Sequence, residues 1–105
     1  MDEKKPQMAR VRRGAGNGNS PEKPTDAELV ADARAGRNGA FDMLMDRYLA
    51  PTFGFFRYLS VSPSQVEDLV QETFLRAFRK LDLYDAKRPF SVWLLTIGRN
   101  LFVDL

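Results

Sequence analysis

Aromatic rings and positive charges alternate between residues 84 and 100. Single-stranded nucleic acids are bound by this combination, because bases stack on rings and cations neutralise phosphates. Burial in the core is the commoner explanation for two of the rings, since Phe and Trp are usually interior residues. The group consists of Tyr84, Lys87, Arg88, Phe90, Trp93, Arg99 and Asn100.

Enzyme chemistry has little support in the composition. The chain has neither Cys nor His, which removes thiolate nucleophiles, the usual general base and the commonest metal ligand. The glycines between residues 14 and 18 follow no predicted strand, so they do not indicate a phosphate-binding loop. Asp82 and Asp85 are too few for a calcium loop. We therefore expect no enzymatic activity, no metal and no cofactor.

The hydrophobic pattern gives no indication of membrane contact. No apolar run approaches the length of a membrane span. No signal-peptide pattern opens the chain. A cytoplasmic protein is therefore expected.

Charge is distributed unevenly along the 105 residues. Residues 1–25 hold six basic and three acidic side chains, residues 26–75 hold four and eight, and residues 76–105 hold six and three. The first segment is rich in Gly, Pro and Asn, which predicts a disordered basic tail. Its arginines suit non-specific phosphate contacts, and a solubilising tail is an equal alternative. The folded part is predicted to be residues 26–105.

The organising element of the predicted fold is a helix over Ser62–Leu81. Ser62 followed by Pro63 is typical of a helix start, and Ser64 with Glu67 predicts a capping box. Apolar residues recur at intervals of three and four, which places one apolar stripe along the helix. The stripe consists of Val66, Leu69, Val70, Phe74, Ala77, Phe78 and Leu81.

The other face of this helix is polar and charged. Acidic residues come early and basic residues come late, an order that suits the helix macrodipole. A solvated surface is the simplest explanation of such a face. It consists of Glu67, Asp68, Gln71, Glu72, Leu75, Arg76 and Arg79.

Two further helices are predicted upstream. Thr25 or Asp26 caps the first, and Gly36 suits the position after its end. The second begins near Asn38, and Pro51 inside its pattern is predicted to kink or split it. Its apolar residues are Phe41, Leu44, Met45, Tyr48, Thr52, Phe55, Phe56 and Leu59.

A loop over Asp82–Pro89 is predicted to precede a last helix that begins near Phe90 or Ser91. That helix reaches Leu105 without a stop signal, which indicates a fragment of a longer protein. No strand pattern is present, so the predicted fold is all-α, a compact bundle of four to five helices. The core side of the last helix consists of Phe90, Leu94, Ile97, Leu101 and Leu105. The neighbouring side consists of Trp93, Thr96, Arg99, Asn100 and Val103.

The order of these motifs resembles a known family. The segments DLVQETFLRAFRKL and RPFSVWLLTIGRNLFVDL resemble the second conserved region of bacterial sigma factors, and most closely that of the extracytoplasmic-function (ECF) group. The upstream segment DAELVADARAGRNGAFDMLMDRYLAPTFGF resembles the start of the same domain. The resemblance covers residues 26–105. The fourth region of such factors, a helix-turn-helix that reads the upstream promoter element, has no counterpart in the chain.

The resemblance implies that the central helix docks on the clamp helices of the RNA polymerase β′ subunit. It assigns Asp68, Gln71 and Glu72 to this interface, with Arg76 and Arg79 alongside. Acids and an amide on one helix face can pair with basic residues of a partner, which gives register and association rate as well as affinity. An anti-sigma factor is a further expected partner.

The resemblance also implies recognition and melting of the promoter −10 element during transcription initiation. The loop would hold a flipped base of the non-template strand, and the last helix would meet the −10 duplex. For Trp93, a core position and a wedge at the duplex fork both stay open. The implied DNA-binding residues are Tyr84, Asp85, Lys87, Arg88, Trp93, Thr96, Arg99 and Asn100.

Two positions depart from the family pattern. Thr96 stands where many relatives carry Arg, so one phosphate contact is expected to be missing. Gly98 stands where Ala is common, and it lowers the stability of a helix interior by about 1 kcal/mol relative to Ala. Its small size would allow close packing against another helix.

Two alternative functions remain open at this level. The domain could be a protein-interaction module that binds a regulator and does not read DNA itself. It could also be part of a helix-turn-helix repressor, although nine residues between Leu81 and Ser91 are many for that motif's tight turn.

Overall fold

The computed structural model describes residues 23–104. This part of the chain contains four α-helices, one short 3₁₀ turn and no strand, so the predicted all-α fold is confirmed. Residues 1–22, which make up most of the predicted disordered tail, lie outside the described residues, and so does Leu105. The helices are α1 (Asp26–Arg34), α2 (Ala40–Tyr58), α3 (Pro63–Arg79) and α4 (Phe90–Val103), with the 3₁₀ turn at Leu81–Leu83 between the last two.

Helix α1 has well-defined signals at both ends. The Thr25 hydroxyl accepts a hydrogen bond from the Glu28 amide, and the Glu28 carboxylate accepts one from the Thr25 amide, which completes a capping box. At the other end Gly36 has a φ of 80°. Its amide donates to the Ala33 carbonyl, and the Arg37 amide donates to the Asp32 carbonyl. This Schellman arrangement confirms the predicted helix stop.

Helix α2 runs without interruption through Pro51, so the predicted possibility of a split is wrong. It begins at Ala40, two residues later than predicted, after Gly39 with a φ of 85°. The Thr52 hydroxyl donates to the Tyr48 carbonyl at 2.7 Å, next to the position where proline supplies no amide proton. Tertiary packing on both neighbouring helices therefore outweighs the local cost of one proline.

Helix α3 starts at Ser62 and Pro63 as predicted, but the capping box is wrong. Ser64 lies inside the first turn, and the Ser62 hydroxyl donates to Gln65 Oε1 at 3.1 Å instead. The helix ends at Arg79, and Leu81 reaches the core from the 3₁₀ turn. The spacing of the apolar residues could not show this change from α-helical to 3₁₀ geometry, because Leu81 is buried in either case.

The predicted stripe of α3 is buried except for one residue. Phe78 is 58% exposed, and its ring meets Phe41 edge-on with 5.1 Å between the centroids. Thr73, which the stripe omitted, is fully buried and donates to the Leu69 carbonyl at 2.6 Å. The stripe is thus rotated towards Thr73, because α3 packs between α2 and α4.

Helix α4 approaches the rest of the bundle at Gly98. A Cβ atom at this position would lie 3.0 Å from Phe56 Cζ and 3.2 Å from Thr73 Oγ1. The predicted close packing at this glycine is confirmed. It sets how near α4 lies to α2 and α3, and so where the outer side of α4 stands.

Candidate functional site

The outer face of α3 presents the residues assigned to polymerase docking. Asp68 and Gln71 are exposed. Glu72 is about half-buried and accepts a hydrogen bond from Arg76 Nε at 3.1 Å, while Arg79 Nη1 lies 3.9 Å away. The negative end of this face therefore consists of Glu67 and Asp68, and the charge of Glu72 is partly balanced by its own helix.

An apolar groove runs beside that face, between α2 and α3. It has a volume of about 400 Å³, and three of the hydrophobic side chains that line it, Leu49, Leu75 and Phe78, are exposed. Gln71 belongs both to the groove and to the predicted docking residues, and Leu75 lies in the groove on the same outer face of α3. The lining residues are Phe41, Asp42, Met45, Leu49, Val70, Gln71, Phe74, Leu75 and Phe78.

The loop before α4 is held by its own backbone and side chains. Asp85 Oδ1 accepts from the Lys87 amide at 2.9 Å, and the Asp85 carbonyl accepts from the Arg88 amide at 2.9 Å. The side chains of Asp85, Lys87 and Arg88 are exposed. The loop therefore offers two cations and one acid to solvent on a turn of defined shape.

Tyr84 is not exposed, in contrast to what a base-stacking residue requires. Only 5% of the residue is accessible, and its ring packs 5.4 Å from Phe90 and 5.0 Å from Trp93, between centroids. Its hydroxyl donates to the Arg88 carbonyl, and burial raises the pKa of the hydroxyl. The expectation that this ring faces a base needs correction: in this conformation the Tyr84 ring is buried under the loop, and its hydroxyl binds the loop backbone at Arg88.

A second tyrosine extends this aromatic cluster to α2. The Tyr48 ring lies 5.4 Å from Phe90, and its hydroxyl donates to Asp26 Oδ2. Burial and the neighbouring Asp26 carboxylate raise the pKa of Tyr48 to about 12. Arg47 Nη1 binds the other carboxylate oxygen of Asp26 at 2.8 Å. Helix α1, helix α2 and the start of α4 are joined through this cluster.

The outer side of α4 carries the remaining predicted DNA contacts. Arg99 and Asn100 are exposed. Thr96 is also exposed, but its hydroxyl proton is donated to the Val92 carbonyl at 2.7 Å. Trp93 is half-buried, and its ring packs against those of Tyr84 and Phe90. The loop residues Asp85, Lys87 and Arg88 and the α4 residues Arg99 and Asn100 are thus all exposed, on either side of Trp93 in the chain.

Arg34 is a residue of this region that the sequence analysis missed. Its Nε and Nη2 atoms donate to the Leu81 carbonyl at 3.0 and 2.8 Å, and Nη2 also donates to the Tyr84 carbonyl. The guanidinium carbon lies 6.0 Å from the centre of the Tyr84 ring. A basic residue in the last turn of a helix ordinarily serves the helix macrodipole, so the sequence held no signal for this contact.

Similarity to known proteins decides the family. A model of Sigma-70 region 2 matches residues 44–105. The chain belongs to the sigma-70 region 2 family. It is 41% identical over 78 residues to the ECF RNA polymerase sigma factor BldN of Streptomyces coelicolor, covering 73% of this chain and 30% of BldN. It is 38% identical over 84 residues to the RNA polymerase sigma factor CnrH of Cupriavidus metallidurans, covering 78% of this chain and 44% of CnrH.

Two solved structures show the same fold as this sigma-70 region 2 domain. CnrH in complex with the cytosolic domain of CnrY superimposes with a TM-score of 0.71 at 38% identity, over 76% of this chain and 52% of CnrH. An engineered region 2 of sigmaE in complex with GTAAAA superimposes with a TM-score of 0.67 at 36% identity, over 81% of this chain and 93% of that one. The resemblance to the ECF group is confirmed.

The sigma-70 region 2 chain spans less than half the length of the curated relatives it matches. None of the helices between residues 23 and 104 is long and apolar enough to cross a membrane. The same range holds no cluster of carboxylates that could bind a metal ion.

Proposed function

We propose that this domain docks on the clamp helices of the RNA polymerase β′ subunit and recognises and melts the promoter −10 element. The observation that carries the proposal is its similarity to the sigmaE region 2 that was solved with GTAAAA, over nearly the whole length of that domain. The exposed loop cations and the Arg99 and Asn100 side chains of α4 supply the chemistry. The polymerase partner implies a cytoplasmic location.

The proposed mechanism involves no bond chemistry. Clamp docking through α3 places the domain, the outer side of α4 meets the −10 duplex, and the loop holds an extruded base of the non-template strand. Extruding a base costs on the order of a few kcal/mol, which contacts in the loop must offset. DNA opening is then selection of the open state by differential binding.

The burial of Tyr84 bears on which loop residues can serve in this proposed mechanism. Because Tyr84 is buried, Asp85, Lys87 and Arg88 are the loop residues that can reach the DNA. Asn100 can donate to and accept from a base edge, whereas Arg99 suits a phosphate or a base. Trp93 contributes the exposed part of its ring beside the loop.

The test is binding of the 105-residue chain to a pool of short single-stranded DNA, with and without a purified clamp fragment. We expect enrichment of a short motif, and weaker binding to that motif by about fivefold or more for Asn100→Ala. Asn38→Ala is the matched control, because Asn38 is an exposed asparagine between α1 and α2. Clamp binding without any DNA preference would contradict DNA reading by this domain.

A second candidate function is binding of a regulatory protein. CnrH was solved with the cytosolic domain of CnrY, and this chain shares the CnrH fold. The apolar groove between α2 and α3 suits the apolar side of an amphipathic helix of such an anti-sigma partner. Since Gln71 lines the groove and is also a proposed clamp-docking residue, the regulator and the clamp fragment should compete. Simultaneous binding of both would contradict this assignment.

A further inference from the structure

One guanidinium group connects the end of α1 to the segment before α4. Arg34 donates two hydrogen bonds to the Leu81 carbonyl and a third to the Tyr84 carbonyl. These carbonyls lie at the start and just after the end of the 3₁₀ turn. A planar arginine fork suits two acceptors that are held at a fixed separation, whereas a lysine ammonium has no such fork.

Tyr84 carries this restraint forward to the end of the loop. Its carbonyl accepts from Arg34, and its hydroxyl donates to the Arg88 carbonyl. Its ring is enclosed by Phe90 and Trp93 at the start of α4. The exposed residues from Asp85 to Lys87 are therefore fixed at both ends. Before them, Arg34 binds the Tyr84 carbonyl, and after them, the Tyr84 hydroxyl binds the Arg88 carbonyl.

We infer that Arg34 is a positioning residue for DNA recognition, which holds the loop in the shape that receives an extruded base. The inference rests on the proposed function. Arg34 acts through the backbone of Leu81 and Tyr84, not through the DNA. A loop that is ordered before binding loses less conformational entropy on binding, so the affinity for the DNA depends on this restraint.

The decisive variant is Arg34→Lys, because it keeps the positive charge and loses the fork. We expect its affinity for the motif that the wild-type chain enriches to fall about five- to tenfold. If Arg34 instead contributed only its charge, at the helix end or to a phosphate, lysine would preserve the affinity. Arg37→Lys is the matched control, since Arg37 pairs with Asp32 at an exposed site just after α1.

A second readout follows the loop without DNA. Trp93 is the single tryptophan of the chain and packs on Tyr84. Release of Tyr84 should change the tryptophan emission in Arg34→Lys and leave it unchanged in Arg37→Lys. Circular dichroism at the same temperature establishes that each variant is folded.

The outcomes are distinct. Wild-type affinity in Arg34→Lys, with the variant folded, would overturn the positioning role. If the wild-type chain prefers no DNA motif, the proposed function fails, and an unchanged Trp93 emission would then overturn the restraint as well.

If Arg34→Lys does not fold, Tyr84→Phe tests the other end of the connection, because it removes only the hydroxyl that binds the Arg88 carbonyl. Affinity equal to wild type in Tyr84→Phe would then overturn the inference.

Discussion

Gly98 shows how a single absent methyl group determines the position of a helix. A Cβ atom there would stand 3.0 Å from the Phe56 ring and 3.2 Å from the Thr73 hydroxyl oxygen. Both neighbours are fully buried, so neither can move away easily. The close approach of α4 therefore compensates for the low helix propensity of glycine at this position.

We expect Gly98→Ala to lower the melting temperature. The propensity gain of about 1 kcal/mol is smaller than the cost of overpacking a closed core, which is about 1–3 kcal/mol. Gly54→Ala is the control, since Gly54 lies in α2 with open space around its Cα, and there the change should raise the melting temperature. Thermal unfolding of the two variants beside the wild type measures both effects. A melting temperature of Gly98→Ala above that of the wild type would contradict the close packing.

The hydroxyl of Tyr48 makes stability depend on pH in the alkaline range. Its pKa rises from 10.0 to about 12 in the folded state through burial and the Asp26 carboxylate. The unfolded state thus loses this proton first, and stability present below pH 10 is lost as the pH rises towards 12. We expect Tyr48→Phe to lose less stability over this range than the wild type. Urea unfolding at several alkaline pH values measures the difference, and parallel losses in both proteins would contradict the assignment.

The ends of the helices differ in how firmly they are fixed. Helix α1 has a complete capping box at Thr25, whereas Ser62 at the start of α3 makes no side-chain bond to the helix backbone. Helix α3 relies instead on Pro63 and on its long buried side. Capping and packing therefore contribute in different proportions to the two helices.

Replacement of the two capping residues should reveal this difference. Thr25→Ala is expected to lower the free energy of unfolding by about 1 kcal/mol, the usual cost of losing a cap. Ser62→Ala is expected to change it by less than about 0.5 kcal/mol, as is common at surface positions without such a bond. Chemical denaturation of both variants measures these values. A larger loss for Ser62→Ala than for Thr25→Ala would contradict the capping geometry.

At the scale of the whole molecule, two proposed interfaces lie on two different helices. The folded part has ten basic and eleven acidic side chains, so its DNA affinity alone should be low. The acidic side chain of Asp68 on α3 faces the proposed polymerase site, and the amide of Asn100 on α4 faces the proposed DNA site. Docking on the polymerase then supplies the local concentration that the DNA contacts lack.

We expect the two interfaces to be separable by mutation. Asp68→Asn should weaken clamp binding about three- to tenfold, because it removes one negative charge from the surface that faces the clamp. It should leave binding to single-stranded DNA unchanged. Asn100→Ala should do the reverse. In the double variant the two losses should add in the ternary assembly. Fluorescence anisotropy with labelled DNA and labelled clamp fragment distinguishes the cases, and a variant that weakens both interactions would contradict independent sites.

The sequence by itself determined the helical fold, most helix boundaries and the family. The reason is that these depend on local signals: the spacing of apolar residues, the Thr25 cap, the Gly36 stop and an ordered run of motif residues. The outer faces of α3 and α4 were also predictable, because a helix with one apolar side must expose the other.

Only the tertiary structure decided which aromatic rings are available and what fixes the loop. Tyr84, Phe90 and Trp93 have similar chemistry, and their burial depends on how α2 and α4 meet. The contact of Arg34 with Leu81 joins residues 47 positions apart in the chain. Its acceptors are backbone carbonyls, which every residue has, so no side-chain pattern in the sequence could mark them.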